Sequence, residues 1–196
     1  MDILYNCCSL FRIIPRKGIE YIKNYISGEN IYKTHRLTQT SNSVKIYNHI
    51  SNVFLEPTKI IDNIYLGNAY NASNYSVIRD NNIKYIINAT KELPNFYELY
   101  DIKYIRVPVA DNSENHISDY IKETLEFIDQ AIVNNDGNIL IHCYMGSSRS
   151  ASIVLAYLVY KYNFDVHNAI CFIKNKRDIV NINLNFIDDI NKYFQK

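Results

Sequence analysis

Cys143 and Arg149 are separated by five small or neutral residues, Tyr144-Met145-Gly146-Ser147-Ser148, and flanked by His142 and Ser150. An apolar run, Asn138-Ile139-Leu140-Ile141, comes just before, and a helical pattern from Ala151 to Tyr160 comes just after. The pattern predicts a strand, a tight loop and a helix start, with a thiol where the loop begins. Loop amides and the positive end of a helix dipole favour an anion at such a place. The same field lowers the pKa of a thiol, and the thiolate is the form that attacks. Arg149 supplies a planar fork of donors that matches two phosphate oxygens. The chemistry this implies is phosphate capture followed by nucleophilic attack on phosphorus. A buried, inert cysteine beside a surface arginine is the competing reading, and it leaves the Gly146-Ser147-Ser148 loop composition unexplained.

The whole run from His142 to Ser150 resembles the signature of the protein tyrosine phosphatase superfamily, specifically its dual-specificity branch. Further segments carry the same likeness. Ile60 to Asn68 is similar to the family's first strands, and Ile83 to Thr90 to its next strand. Val107-Pro108-Val109-Ala110-Asp111-Asn112 resembles the loop with the general acid, and Lys176-Arg177 to Phe186 the segment before the last helix. There the family usually has prolines where this chain has Asp178 and Ile182, which predicts a differently shaped turn. The likeness runs from about Val53 to the C-terminus.

The resemblance implies roles for particular residues. Cys143 would attack and form a phosphocysteine, splitting hydrolysis into two easier steps. The amides of Tyr144, Met145, Gly146, Ser147, Ser148 and Arg149 would surround three phosphate oxygens, and Arg149 would grip two of them more strongly in the transition state. Asp111 is the expected proton donor to the leaving oxygen and later the base for water, with Glu114 in reserve. Ser150 would stabilise the departing thiolate. His142 is expected to be a neutral histidine ordering the loop, and Asn183 to brace the loop from the side. No cofactor or metal is implied, and no cysteine spacing resembles a ligand set.

The elements that must position these groups follow from periodicity. Apolar runs at 84–89, 103–109 and 138–142 predict buried parallel strands. Helices are predicted over 71–81, 117–133, about 149–162, 166–176 and 184–194. Ile117, Ile121, Leu125, Ile128 and Ile132 mark one face of the second; Leu184, Ile187, Ile190 and Phe194 line the last. Asp165 is placed to cap the helix at 166–176. Cys171, among Ala169, Ile170 and Phe172, is expected in the core. Strands wrapped by helices predict a three-layer α/β domain with a central, mostly parallel sheet. Its site should lie at the carboxyl ends of the strands, where Cys143 sits.

Length and composition limit the remaining possibilities. A chain of 196 residues, 47% hydrophobic, suits one domain with a small extension. Its net charge of +1 gives no general attraction to nucleic acid or membranes. No apolar run approaches the ~18 residues of a membrane span, no signal peptide opens the chain, and Asp2 rules out N-myristoylation. Reduced cysteines predict a cytoplasmic-type compartment. Abundant Asn, Ile, Lys and Tyr without Trp point to an AT-rich genome, viral or microbial.

Two segments are expected, 1–52 and 53–196. The first holds seven Lys or Arg against three Asp or Glu, the second fourteen against seventeen. Ile19, Ile22 and Ile26 at helical spacing, then Gly28, predict a short basic amphipathic helix, followed by a polar linker to Ser51. Such a helix suits a partner, an anionic surface or a second copy of the chain; packing on its own catalytic domain is the alternative. Cys7-Cys8 could accept palmitate, but no neighbouring lipid signal supports it.

The expected substrate is a phosphorylated protein. A phosphoinositide or an RNA 5′-triphosphate would call for extra cations, and the five loop residues include no Lys or Arg. The tyrosine-only enzymes' recognition loop has no counterpart, which predicts a shallower pocket open to phosphotyrosine and to phosphoserine or phosphothreonine. A catalytically silent phosphopeptide-binding module is the alternative from another class. The joint presence of Cys143, Arg149, Ser150 and a candidate acid argues against it.

Overall fold

The computed structural model describes residues 55–98, 100–112 and 114–195. The expected helix near Ile19–Ile26, the polar linker and Cys7-Cys8 lie outside these residues. Five strands and six helices follow in the order β1 Thr58–Ile61, β2 Ile64–Gly67, α1 Ala69–Ser73, α2 Tyr75–Asp80, β3 Ile83–Asn88, β4 Lys103–Arg106, α3 Ser118–Asn134, β5 Asn138–His142, α4 Arg149–Tyr162, α5 Val166–Lys176 and α6 Leu184–Phe194. The sheet order is β1-β2-β5-β3-β4. Only β1 and β2 pair antiparallel, through a turn in which Asn63 takes a left-handed φ of 65°. An asparagine tolerates that conformation better than most side chains.

β5 lies at the centre because it is apolar on both faces. Its Ile141 stands between Leu66 of β2 and Ile87 of β3, both strands running parallel to it. Ile139 and Ile141 join a large core built with α3 to α6, whereas Leu140 joins a smaller one with Ala72, Ile78, Ile83 and Ile86. Alternate residues of one strand thus serve opposite layers. Each fully buried isoleucine contributes roughly 1.5–3 kcal/mol. This is the three-layer α/β domain expected from the alternating pattern.

α4 is buried without interruption from Arg149 to Leu158, and its run from Ile153 to Val159 reads as continuously apolar instead of striped. Asp165 caps α5 by accepting from the Asn168 amide at 2.9 Å. The predicted helix over 71–81 is two helices broken at Asn74, whose side chain accepts from the Ser76 amide and so competes with helical continuation. The run at 103–109 forms a strand only to Arg106, ahead of Pro108, which has no amide to donate.

Two expected core residues are at the surface. Cys171 is exposed on α5, where only Ala169 and Ile173 are buried. Leu184 is 75% exposed at the start of α6, and Phe186 and Ile190 fill the core in its place.

Candidate active site

The carboxyl ends of β2, β5 and β3 finish side by side, with Gly67 and Asn88 both opposite His142. The chain then leaves the sheet at Cys143 and turns through Tyr144 to Ser148 into α4. Gly146 makes the turn possible. Its φ is +72°, and a Cβ there would meet the Gly67 carbonyl oxygen at 2.6 Å and Arg177 Nη2 at 2.8 Å. Only glycine accepts both the left-handed backbone and that approach.

The carbonyls of this loop are engaged by the elements around it. Tyr144 O accepts from the Ala69 amide at 3.1 Å and Ser147 O from the Asn181 amide at 3.0 Å; Ser148 O accepts from the Ser152 amide at 2.8 Å. Gly146 O accepts from Arg177 Nε at 3.0 Å. In a trans peptide the following N–H points opposite to the carbonyl. The amides of Met145, Ser147, Ser148 and Arg149 are therefore turned away from those partners. Gly146's own amide donates to Cys143 Sγ at 3.2 Å. These amides lead into a fourteen-residue helix, whose start favours an anion.

Cys143 is 2% exposed at the start of this loop. Ser150 Oγ donates to its sulfur at 3.2 Å. Burial by itself raises the thiol pKa. The Arg149 charge, the hydroxyl and amide of Ser150 and the Gly146 amide outweigh it, and the thiol is brought below its ordinary value. A thiol whose pKa is lowered is a better candidate nucleophile, because the thiolate is the reactive form.

Arg149 is 7% exposed. Its Nη1 donates to Glu92 Oε1 at 2.7 Å and to the Val109 carbonyl at 3.4 Å. Its Nε is buried without a hydrogen-bond partner among the described residues, a donor suited to an anionic oxygen.

Asp111 lies exposed on the segment between β4 and α3, yet it reaches the loop. Its Oδ1 accepts from Ser148 Oγ at 2.9 Å and from Asn183 Nδ2 at 3.3 Å. Asn183 caps α6 with its side chain, and its amide donates to Ser148 Oγ at 3.1 Å. Glu114 is exposed, its amide donating to Asn112. His142 is fully buried, its Nδ1 only 3.4 Å from the Cys143 carbonyl and its Nε2 without a partner among the described residues. Burial, opposed by the Cys143 carbonyl and aided by the charges of Arg106 and Arg149, pulls its pKa down to about 4. The imidazole is neutral near pH 7.

Two residues of the site were not singled out from sequence. Glu92 pairs with Arg149 across 57 positions. Its segment is braced by Arg106, whose Nη1 donates to the carbonyls of Thr90 at 3.0 Å and Leu93 at 2.7 Å. Arg177 reads locally as one more cation at the end of a basic helix, but it is 1% exposed and lies behind the loop. Nothing in its immediate neighbours signals that burial. Among the described residues no group of three His, Cys, Asp or Glu is placed to hold a metal ion.

Residues 64–196 match the family model described as dual specificity phosphatase, catalytic domain. Human dual specificity protein phosphatase 9 is 36% identical over 135 residues, covering 68% of this chain and 35% of that protein. Protein phosphatase Slingshot of Drosophila melanogaster is 34% identical over 137 residues, covering 70% and 13%. The crystal structure of DUSP15 superimposes with a TM-score of 0.67 at 32% identity, covering 71% of this chain and 87% of that one. A human tyrosine phosphatase-like serine/threonine/tyrosine-interacting protein superimposes at 0.66 with 27% identity, over 72% and 97%. The chain belongs to the dual-specificity phosphatase catalytic domain family, within the cysteine-based protein tyrosine phosphatase superfamily. It spans about a third or less of the curated relatives' own length.

Proposed function

We propose that this chain hydrolyses phosphate monoesters on protein side chains, phosphotyrosine and also phosphoserine and phosphothreonine. The observation that carries the reading is the Cys143 sulfur, which accepts from Gly146 N and Ser150 Oγ, each at 3.2 Å, beside the buried Arg149. The amides of the loop and Arg149 hold the phosphoryl oxygens, and the Cys143 thiolate attacks phosphorus. A phosphorus–sulfur bond forms as the ester P–O bond breaks, and the leaving oxygen takes a proton from Asp111. Water then attacks phosphorus and gives a proton to Asp111 while the sulfur departs as thiolate, stabilised by the Ser150 hydroxyl. The relatives named as dual specificity phosphatases support this substrate class. The neutral side chains of Tyr144 to Ser148 supply no cation for additional phosphates, which favours proteins over phosphoinositides or RNA 5′-phosphates.

A reducing, cytoplasmic compartment suits the thiol chemistry, and no described helix is long and apolar enough to cross a membrane. A homodimer or partner contact through residues 1–52 would give their basic charge a role.

The test is turnover by the purified chain of p-nitrophenyl phosphate, then of phosphotyrosine, phosphoserine and phosphothreonine peptides, phosphoinositides and 5′-triphosphate RNA. Phosphopeptide turnover that is lost in Cys143→Ser while peptide binding persists is the expected result. Binding without turnover by the parent would make it a silent module, and turnover confined to lipid or RNA would reassign its substrate.

A further inference from the structure

Arg177, at the end of α5, is a charged side chain lodged in the interior, 1% exposed. Burying a guanidinium is costly unless it is hydrogen-bonded and meets compensating charge. Its Nε donates to the Gly146 carbonyl at 3.0 Å, and its Nη1 to Thr58 Oγ1 of β1 at 3.0 Å. The first bond falls on the peptide whose other end is the Ser147 amide. Pulling that carbonyl towards Arg177 turns the Ser147 N–H the opposite way, since the peptide is trans. Gly146 itself donates to the nucleophilic sulfur at 3.2 Å. The following residues fasten the same stretch, with Ser147 Oγ donating to Ile179 O at 2.7 Å and the Asn181 amide to Ser147 O at 3.0 Å.

We propose that Arg177 is a positioning residue for the nucleophile: its buried guanidinium holds the Gly146–Ser147 peptide so that the Ser147 amide is turned towards the phosphate and Gly146 is fixed with its own amide on the sulfur, and its positive charge behind the loop favours the Cys143 thiolate. The proposal rests on the reading of Cys143 as the attacking group. Burial lowers the Arg177 pKa to about 10, with the charges of Cys143 and Asp178 opposing that change, so the guanidinium stays charged near neutrality. Cys143 and Arg177 therefore interact as an anion and a cation across the loop backbone. Arg149 and Arg177 divide the work: one faces the ester, the other supports the loop from behind.

The experiment compares the 196-residue parent with Arg177→Met and Arg177→Lys. Thermal melting establishes that each is folded. The rate of Cys143 carboxamidomethylation by iodoacetamide, read against pH by peptide mass spectrometry, gives the thiol's midpoint apart from the other cysteines. Turnover of p-nitrophenyl phosphate gives kcat and KM. In Arg177→Met the midpoint rises by about one pH unit and kcat falls roughly 10-fold or more, with a smaller change in KM. Arg177→Lys keeps the charge without the planar fork, so its midpoint stays near the parent's while kcat still falls. A folded Arg177→Met with an unmoved midpoint and an unchanged kcat overturns the proposal. Should Arg177→Met fail to fold, an unchanged kcat in Arg177→Lys overturns it, and failure of both to fold reduces Arg177 to a packing residue. A parent that titrates at low pH but hydrolyses no phosphate ester refutes the enzymatic reading instead, because alkylation does not depend on turnover.

Discussion

Ser148 Oγ donates to Asp111 Oδ1 at 2.9 Å, joining the segment after β4 to the phosphate loop across 37 positions. The same hydroxyl accepts from the Asn183 amide at 3.1 Å, and Asn183 Nδ2 returns to Asp111 at 3.3 Å. A carboxyl group on a surface segment is thereby brought to the rim of the site by a serine that also leads into α4.

Asp111→Asn removes the proposed proton donor and keeps the shape. The rate should fall roughly 10²–10⁴-fold on esters with poor leaving groups, and far less on aryl phosphates that need little protonation. The alkaline limb of the rate–pH profile should flatten. Equal losses across leaving groups would assign the acid elsewhere, and Glu114→Gln would then be the variant to measure.

The proposed attacking form of Cys143 is the thiolate, and its pKa lies below that of an ordinary thiol: burial raises it, but Arg149, Ser150 and Gly146 lower it by more. Activity should therefore rise through its acid limb below the ~8.5 of a free thiol. Ser150→Ala removes one of the stabilising donors, so this limb should move to higher pH. With a poorer thiolate leaving group, phosphoenzyme should also accumulate as a pre-steady-state burst. An unmoved limb and no burst would remove Ser150 from the mechanism.

Glu92 holds Arg149 Nη1 at 2.7 Å, with Arg149 almost wholly buried and Glu92 about two-fifths exposed. Glu92→Ala should leave the guanidinium misaligned and lower kcat roughly 10-fold, since small displacements of an orienting group are costly. Glu92→Gln keeps an acceptor at the same place and should lose less. Steady-state kinetics on one phosphopeptide checks both, and equal activity of parent and Glu92→Ala would make the pair incidental.

His142 carries a folded-state pKa of about 4 against an ordinary 6.5, chiefly through burial. As pH falls from 6.5, the unfolded chain takes up this proton before the folded one does. Stability is full above that value and declines towards pH 4, by up to about 3 kcal/mol for this group alone. Urea titrations at pH 7 and pH 5 should show a larger acid loss in the parent than in His142→Gln. An identical loss in both would mean that His142 is protonated in the folded protein.

The strand, turn and helix around the loop were legible because they are contiguous. Cys143, the left-handed Gly146, Arg149 and Ser150 lie within eight residues between an apolar strand and a helix, and that local order is enough to specify a turn that gathers amides. The β5 strand and the α3 to α6 helices were legible for a related reason: periodicity reports which side of an element is apolar. Periodicity does not report which neighbour will cover that side. Cys171 and Leu184 fit a helical stripe and are nevertheless exposed, because the helices around them bury Ala169, Ile173, Phe186 and Ile190 first. Glu92 against Arg149, Ser148 against Asp111 and Arg177 against Gly146 are pairs 57, 37 and 31 positions apart. No local propensity encodes such a pair. Each exists only because the parallel sheet ends β2, β5 and β3 at one edge and α4 to α6 pack behind it, bringing charges that are remote in the chain within hydrogen-bond reach.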